Sequence, residues 1–158
     1  MSITIPPFES HVSGYTLSTD PARLDLLTIH RFLSIEAYWC QGIPLPVVEK
    51  AIAHSLCFGV YADATEDLPE RQVGFARVIT DFATYAYICD VFILQEYRGH
   101  GLGKWLVSCI REHPHLQNLR RWSLATRDAH SLYTQYGFQP LSNPERWMQI
   151  TDPDAYKR

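Results

Sequence analysis

The chain has 158 residues, 46% of them apolar and 20% charged, with a formal net charge of -3. Such a length and composition suit one globular domain, 1–158, able to bury about two thirds of its unfolded surface. The negative charge, with Arg120-Arg121 as the densest basic run, argues against a nucleic-acid partner, and no apolar run of about 18 residues supports a membrane span.

The opening MSITIPPFES has neither a basic flank nor an apolar core, so no signal peptide is expected. Cys40, Cys57, Cys89 and Cys109 form no C-x-x-C pair, and three of them lie in apolar stretches, where a free thiol behaves as a small hydrophobe. Reduced thiols point to a cytoplasmic protein. GYTLS (14–18) predicts a first strand. Asp20-Pro21 predicts a helix start, with a carboxylate cap and proline at the first position, followed by a stripe of Leu26, Ile29, Phe32 and Leu33. WCQGIPLP (39–46) breaks that helix, and a second runs from Pro46 to His54 with Val47, Val48, Ala51 and Ile52 inward.

CFGVYA (57–62) and QVGFARVIT (72–80) predict two strands joined by the acidic loop DATEDLPE. YAYICDVFIL (85–94) is apolar on both faces apart from Asp90, as a central strand covered on both sides should be. A glycine-containing loop follows. Then Leu102, Trp105, Leu106, Cys109 and Ile110 recur at helical spacing up to Pro114. RRWSLAT (120–126) predicts a strand, AHSLYTQYGF (129–138) a short helix closed by Gly137, and RWMQI (146–150) a last strand. The order is that of a mixed α/β domain.

The loop EYRGHGLGKWLV (96–107) departs from both common phosphate loops. Gly99 and Gly103 are one residue too close for a Walker loop, and no glycine stands at 104 to complete G-x-G-x-x-G. Yet a central strand, a glycine loop and a helix N-terminus present free amides and partial positive charge, and Arg98 and Lys104 add full charges. A pyrophosphate suits such a place. The same glycines also suit a plain tight turn from strand to helix.

RGHGLG (98–103) resembles the R/Q-x-x-G-x-G/A loop of the GNAT N-acetyltransferase superfamily, and LYTQYGF (132–138) is similar to its L-Y-x-x-x-G-F segment. QVGFARVI resembles its third strand, and the order of elements agrees over residues 14 to 150. The resemblance implies a mostly antiparallel central sheet with helices on both faces and a splayed central strand pair. It implies acetyl-CoA as acyl donor, its diphosphate on Arg98, Gly99, His100, Gly101, Leu102, Gly103 and Lys104, and its pantetheine arm along Val91, Phe92 and Ile93. It implies direct transfer to a primary amine of a small molecule or peptide, no metal, and a monomer or homodimer. Tyr133 matches the tyrosine that donates a proton to the leaving thiolate.

Two positions depart from the family pattern. Cys89 stands where some relatives carry a glutamate base, and a thiol with no basic neighbour in sequence is a poor base. Thr126 stands where an asparagine often contacts the cofactor. Asp90 is expected to be structural. Glu36 and Asp81 are the remaining candidate bases, acting through water, with His130 behind them. Glu36, Trp39 and Tyr87, beside Tyr38 and Tyr85, make a candidate acceptor pocket, since aromatic faces and a carboxylate suit a cationic amine. A non-catalytic acyl-CoA sensor is the alternative that the missing glutamate leaves open. His113-Pro114-His115 lacks the helical spacing of a metal pair.

Overall fold

The computed structural model describes residues 4–158. One six-stranded sheet runs β1 (Glu9–Val12), β2 (Tyr15–Ser18), β3 (Leu56–Ala62), β4 (Arg71–Thr80), β5 (Tyr85–Ile93) and β6 (Arg121–Leu124), in that spatial order. All neighbours are antiparallel except β5 and β6. Helices α1 (Leu26–Arg31) and α2 (Leu45–Ala53) precede β3. Helix α3 (Leu102–Glu112) joins β5 to β6, and α4 (His130–Thr134) follows β6. The fold is mixed α/β with a mostly antiparallel sheet, as expected.

Alternation along each strand sends side chains to two separate cores. On one face Phe58, Val60, Val78 and Ile88 pack against Leu102, Leu106, Cys109 and Ile110 of α3. On the other, Cys57, Phe75 and Phe92 pack against Ile29 of α1, Phe32 and Leu33 just after it, and Val48 of α2. The Phe32 and Phe92 rings stack at 3.9 Å, anchoring α1 to the end of β5.

Several local expectations are corrected. A strand precedes GYTLS: residues 9–12 pair with 15–18 across a two-residue Ser13-Gly14 turn, Gly14 taking φ 82 as such a turn requires. Asp20-Pro21 opens only a 3-10 turn, with the Asp20 carboxylate on the Ala22 amide at 2.9 Å. The α-helix starts after Asp25, which caps Thr28 at 3.1 Å, and ends in a wide π-type turn over Phe32–Glu36. In α2 Val48 is buried, but Val47 is exposed, because it lies off the narrow stripe that meets the sheet. Residues 146–150 form no strand: Met148 is 97% and Ile150 100% exposed.

His113 ends α3 at 0% exposure, ringed by Phe8 and Phe58 at 5.4 and 5.7 Å. Its Nδ1 accepts from the His115 amide, and its Nε2 has no partner. Burial, with His115 adding to it, lowers its pKa from 6.5 to about 4. The unfolded chain therefore takes up this proton first as pH falls. Stability fully present above pH 6.5 should decline towards pH 4, by about 3 kcal/mol for this group. Urea titrations from pH 7.5 to 4.5 should show a slope that is shallower in His113→Asn; an equal slope in both would exclude His113 as the source.

Candidate active site

β5 and β6 pair only from Tyr85↔Arg121 to Ile88↔Leu124. Beyond that point β5 stays on β4 while the chain after β6 turns away, so the two strands splay. A bulge adds to the divergence. Opposite Phe75–Arg77, β5 spends one extra residue between Phe92 and Cys89, and Asp90 takes φ 54. The bulge turns Asp90 onto Arg77, whose Nε donates to its carboxylate at 2.8 Å, while Trp39 Nε1 donates to the other oxygen at 2.9 Å. The largely buried ion pair ties β5 to β4, and the Trp39 bond ties it to the segment after α1.

A groove of about 830 Å³ occupies the splay. Its floor is Val91, Phe92 and Ile93, one end is Arg98, Gly99, Gly101, Leu102, Gly103 and Lys104, and Tyr38, Trp39 and Tyr133 close the other. Gly99 and Gly101 hold φ 82 and 78, a left-handed conformation that favours glycine. Gly103 has an ordinary φ, and a Cβ there would meet no protein atom within 4 Å. The three glycines thus leave open space over the first-turn amides of α3, and the donors fit a diphosphate. Leu102 itself is buried, so only its amide can serve. Arg98 Nε donates to the Ile93 carbonyl at 2.8 Å and His100 Nδ1 lies 3.1 Å from the Tyr97 carbonyl. Arg98 therefore braces the loop against β5, and His100 braces it against its own turn at Gln95–Tyr97.

A second cavity, of about 440 Å³, lies across the strand ends. Tyr38, Trp39, Tyr87, Cys89, Asp90, Thr126, Asp128 and Tyr133 are among its walls. Trp39 and Tyr87, two of the candidate pocket residues, share this wall. Glu36 is not with them: it lines the long groove instead. Thr126, expected on the cofactor, lines this second cavity, and its Oγ accepts from the Ala129 amide at 3.0 Å. Asp81 lies in the exposed β4–β5 turn, where hydrogen bonds from Thr84 and the 83–85 amides hold its carboxyl well below the usual range. Those bonds make it a turn cap. His130 is exposed and faces a third hollow, beside β6.

Tyr133 is 8% exposed and borders both the groove and the second cavity. Phe138 meets its ring edge-on at 5.9 Å, and Tyr136 Oη donates to the Lys104 carbonyl at 2.8 Å, pinning the α4 turn to α3. Burial pushes its pKa up to about 12, with Tyr38 adding to the rise. Cys89 is half-buried in the cavity wall, and burial likewise raises its thiol to about 12 despite Arg77. That thiol donates to the Arg77 carbonyl at 3.5 Å.

A family model for the acetyltransferase (GNAT) domain matches residues 53–140, more than half of the chain. The chain belongs to the GNAT acetyltransferase family. A candidate GNAT acetyltransferase from Xanthomonas campestris is 49% identical, with a TM-score of 0.85 over 91% of this chain and 97% of that one. A candidate acetyltransferase of Gibberella zeae is 35% identical over 136 residues, 75% of each protein. A candidate acetyltransferase from Clostridium acetobutylicum, solved with acetyl-CoA, shares the fold at 16% identity and a TM-score of 0.57 over 87% of this chain and 94% of that one.

Against the GNAT pattern, three features escape sequence inspection. Arg77 is a lone base in an apolar strand, and its partner is known only once the bulge is seen. Asp128 borders both cavities, with Arg127 3.9 Å away. The Tyr38 hydroxyl accepts from the Arg127 amide at 3.2 Å, and the Arg127 guanidinium covers the Tyr38 ring at 3.7 Å. With the Trp39–Asp90 bond, this clasp carries residues 38–39 across the splay. Among the described residues no group of three or more potential metal ligands occurs, and no helix is long and apolar enough to cross a membrane.

Proposed function

We propose that the protein transfers the acetyl group of acetyl-CoA to a primary amine of a small molecule or peptide. The observation that carries this reading is the position of Tyr133, in the shared wall of a glycine-ended groove and a separate aromatic cavity. Acetyl-CoA supplies an acyl group activated on sulfur. The amides of 102–104 and Lys104 would hold its diphosphate, and the exposed edge of Val91–Ile93 its pantetheine. The amine enters from the second cavity, where Tyr38, Trp39 and Tyr87 offer aromatic faces and Asp128 a negative charge.

The attacking nitrogen must first lose its ammonium proton, and both Asp90 oxygens are engaged. The Asp128 carboxylate in the cavity wall is the acceptor for that proton. As the new C–N bond forms and the C–S bond breaks, the sulfur leaves with the electron pair. The Tyr133 hydroxyl donates a hydrogen bond to it. An ordinary thiol has a pKa near 8.5, far below about 12 for this phenol, so the phenol shares its proton without giving it up fully.

Incubation with acetyl-CoA and a panel of primary amines should release free thiol and acetylated amine, with aromatic-bearing amines turned over fastest. Coenzyme binding with no turnover of any amine would favour the sensor, a reading supported by the inert Cys89 thiol at the glutamate position. Absence of coenzyme binding would exclude both.

A further inference from the structure

Arg77 lines neither the groove nor the second cavity. Its side chain is 17% exposed, in a stretch of β4 where Phe75, Ala76 and Val78 are fully buried. A guanidinium taken so far out of water is costly unless its donors are used. This one is used on two sides. Nη1 donates to Ser55 Oγ at 3.2 Å and Nε to Asp90 at 2.8 Å. Ser55 Oγ in turn donates to the Ala51 carbonyl at 2.7 Å, in the last turn of α2. On the far side Asp90 accepts from the Trp39 indole at 2.9 Å. A chain of hydrogen bonds therefore runs from α2 through Ser55, Arg77 and Asp90 to Trp39, in the cavity wall.

Trp39 depends on that chain because little else holds it. It is 43% exposed, and its ring meets Tyr38 edge-on at 5.1 Å. Asp90 depends on Arg77 in the same way. Its backbone sits at φ 54, uncommon for any residue but glycine, and its carboxylate borders the cavity. Without the guanidinium, that carboxylate would turn to the water of the cavity and release the indole. The position of one aromatic face in the wall is thus fixed by a side chain behind it.

We propose that Arg77 is a positioning residue that sets which amines the second cavity accepts, by holding Asp90 and, through it, the ring of Trp39. The proposal rests on the reading of that cavity as the amine site. An amine with an aromatic group packs on Trp39 and loses binding when the ring moves. A small aliphatic amine makes no such contact and is indifferent to it. The diphosphate end of the groove, at residues 98–104, has no link to this chain of bonds.

The test is steady-state kinetics of the full chain with acetyl-CoA and two acceptors, 2-phenylethylamine and ethylamine. Arg77→Met should raise KM for 2-phenylethylamine about tenfold, the size of one lost aromatic contact. Its kcat, and its KM for ethylamine and acetyl-CoA, should stay within about twofold of wild type. Arg77→Lys keeps the buried charge paired, so it guards against a folding defect, and it should recover part of the loss. Trp39→Phe removes the indole N–H and should raise the same KM, and adding Arg77→Met to it should raise it no further. Exchange of the Trp39 indole N–H, assigned by its absence in Trp39→Phe, should be about tenfold faster in Arg77→Met. Equal KM changes for both amines, additive effects in the double variant or unchanged indole exchange would each overturn the proposal. Turnover of neither amine by the wild type would count against the amine reading and the selectivity built on it, while the indole exchange would still report whether Arg77 holds Trp39.

Discussion

Gly101→Asp should abolish the thermal stabilisation that coenzyme A gives the wild type. Wild-type protein with ligand at about 100 times its dissociation constant should gain roughly 2.7 kcal/mol. Gly101 is the N-cap of α3 with φ 78. Aspartate is among the few residues that tolerate this conformation, and it is a favoured N-cap, so the variant should fold. What it adds is a carboxylate in space that no protein atom occupies, at the mouth of the diphosphate end. Gly101→Asn separates charge from bulk. It shares the backbone tolerance and the capping, lacks the charge, and should retain much of the shift. Calorimetric titration of all three proteins decides the matter. Equal binding by Asp and Asn variants would remove the diphosphate from this loop.

Tyr133→Phe should lower kcat by about 100-fold with coenzyme affinity and folding nearly unchanged, the lower range for one hydrogen-bond donor to developing negative charge. The ring keeps its packing on Phe138, and only the hydroxyl is lost. The pH profile is the sharper readout. An ordinary phenol would begin to lose its proton near pH 10. Burial raises this one to about 12, so it holds its proton through pH 10. The ratio of wild-type to variant rates should therefore stay constant from pH 7 to 10, and any fall in rate within that span belongs to another group. A variant as fast as wild type with a genuine acceptor would show that Tyr133 plays no part in expelling the thiolate.

Much of the fold was legible because its signals are local. The stripe of Leu102, Trp105, Leu106, Cys109 and Ile110, stopped before Pro114, marks α3 within three turns of chain. Gly137 takes φ 91 just past α4, the left-handed position that glycine favours after a helix. The doubly covered β5 was visible as an apolar run. β1 was not: ESHV is mostly exposed at the sheet edge and carries no hydrophobic alternation. The Asp20-Pro21 cap was real, but Asp25, five residues on, also caps, and the α-helix grew from the second.

The glycine loop and Tyr133 could be picked from sequence because each belongs to a compact motif. The second cavity could not. Trp39 and Asp90, 51 residues apart, meet only because a bulge turns Asp90 aside, and Tyr38 meets Arg127 across 89 residues. The splay that separates β5 from the chain after β6, and so makes room for a groove, exists only between two strands. By itself the sequence determined the helices, the turns and the loop at the head of α3, since those depend on residues within a few positions of one another. The tertiary structure alone decided that Glu36 lines the groove, that Thr126 lines the second cavity, and that 146–150 finds no partner in its own sheet. Such outcomes are set by long-range contacts, whose chain-closing cost is repaid only when the whole sheet assembles.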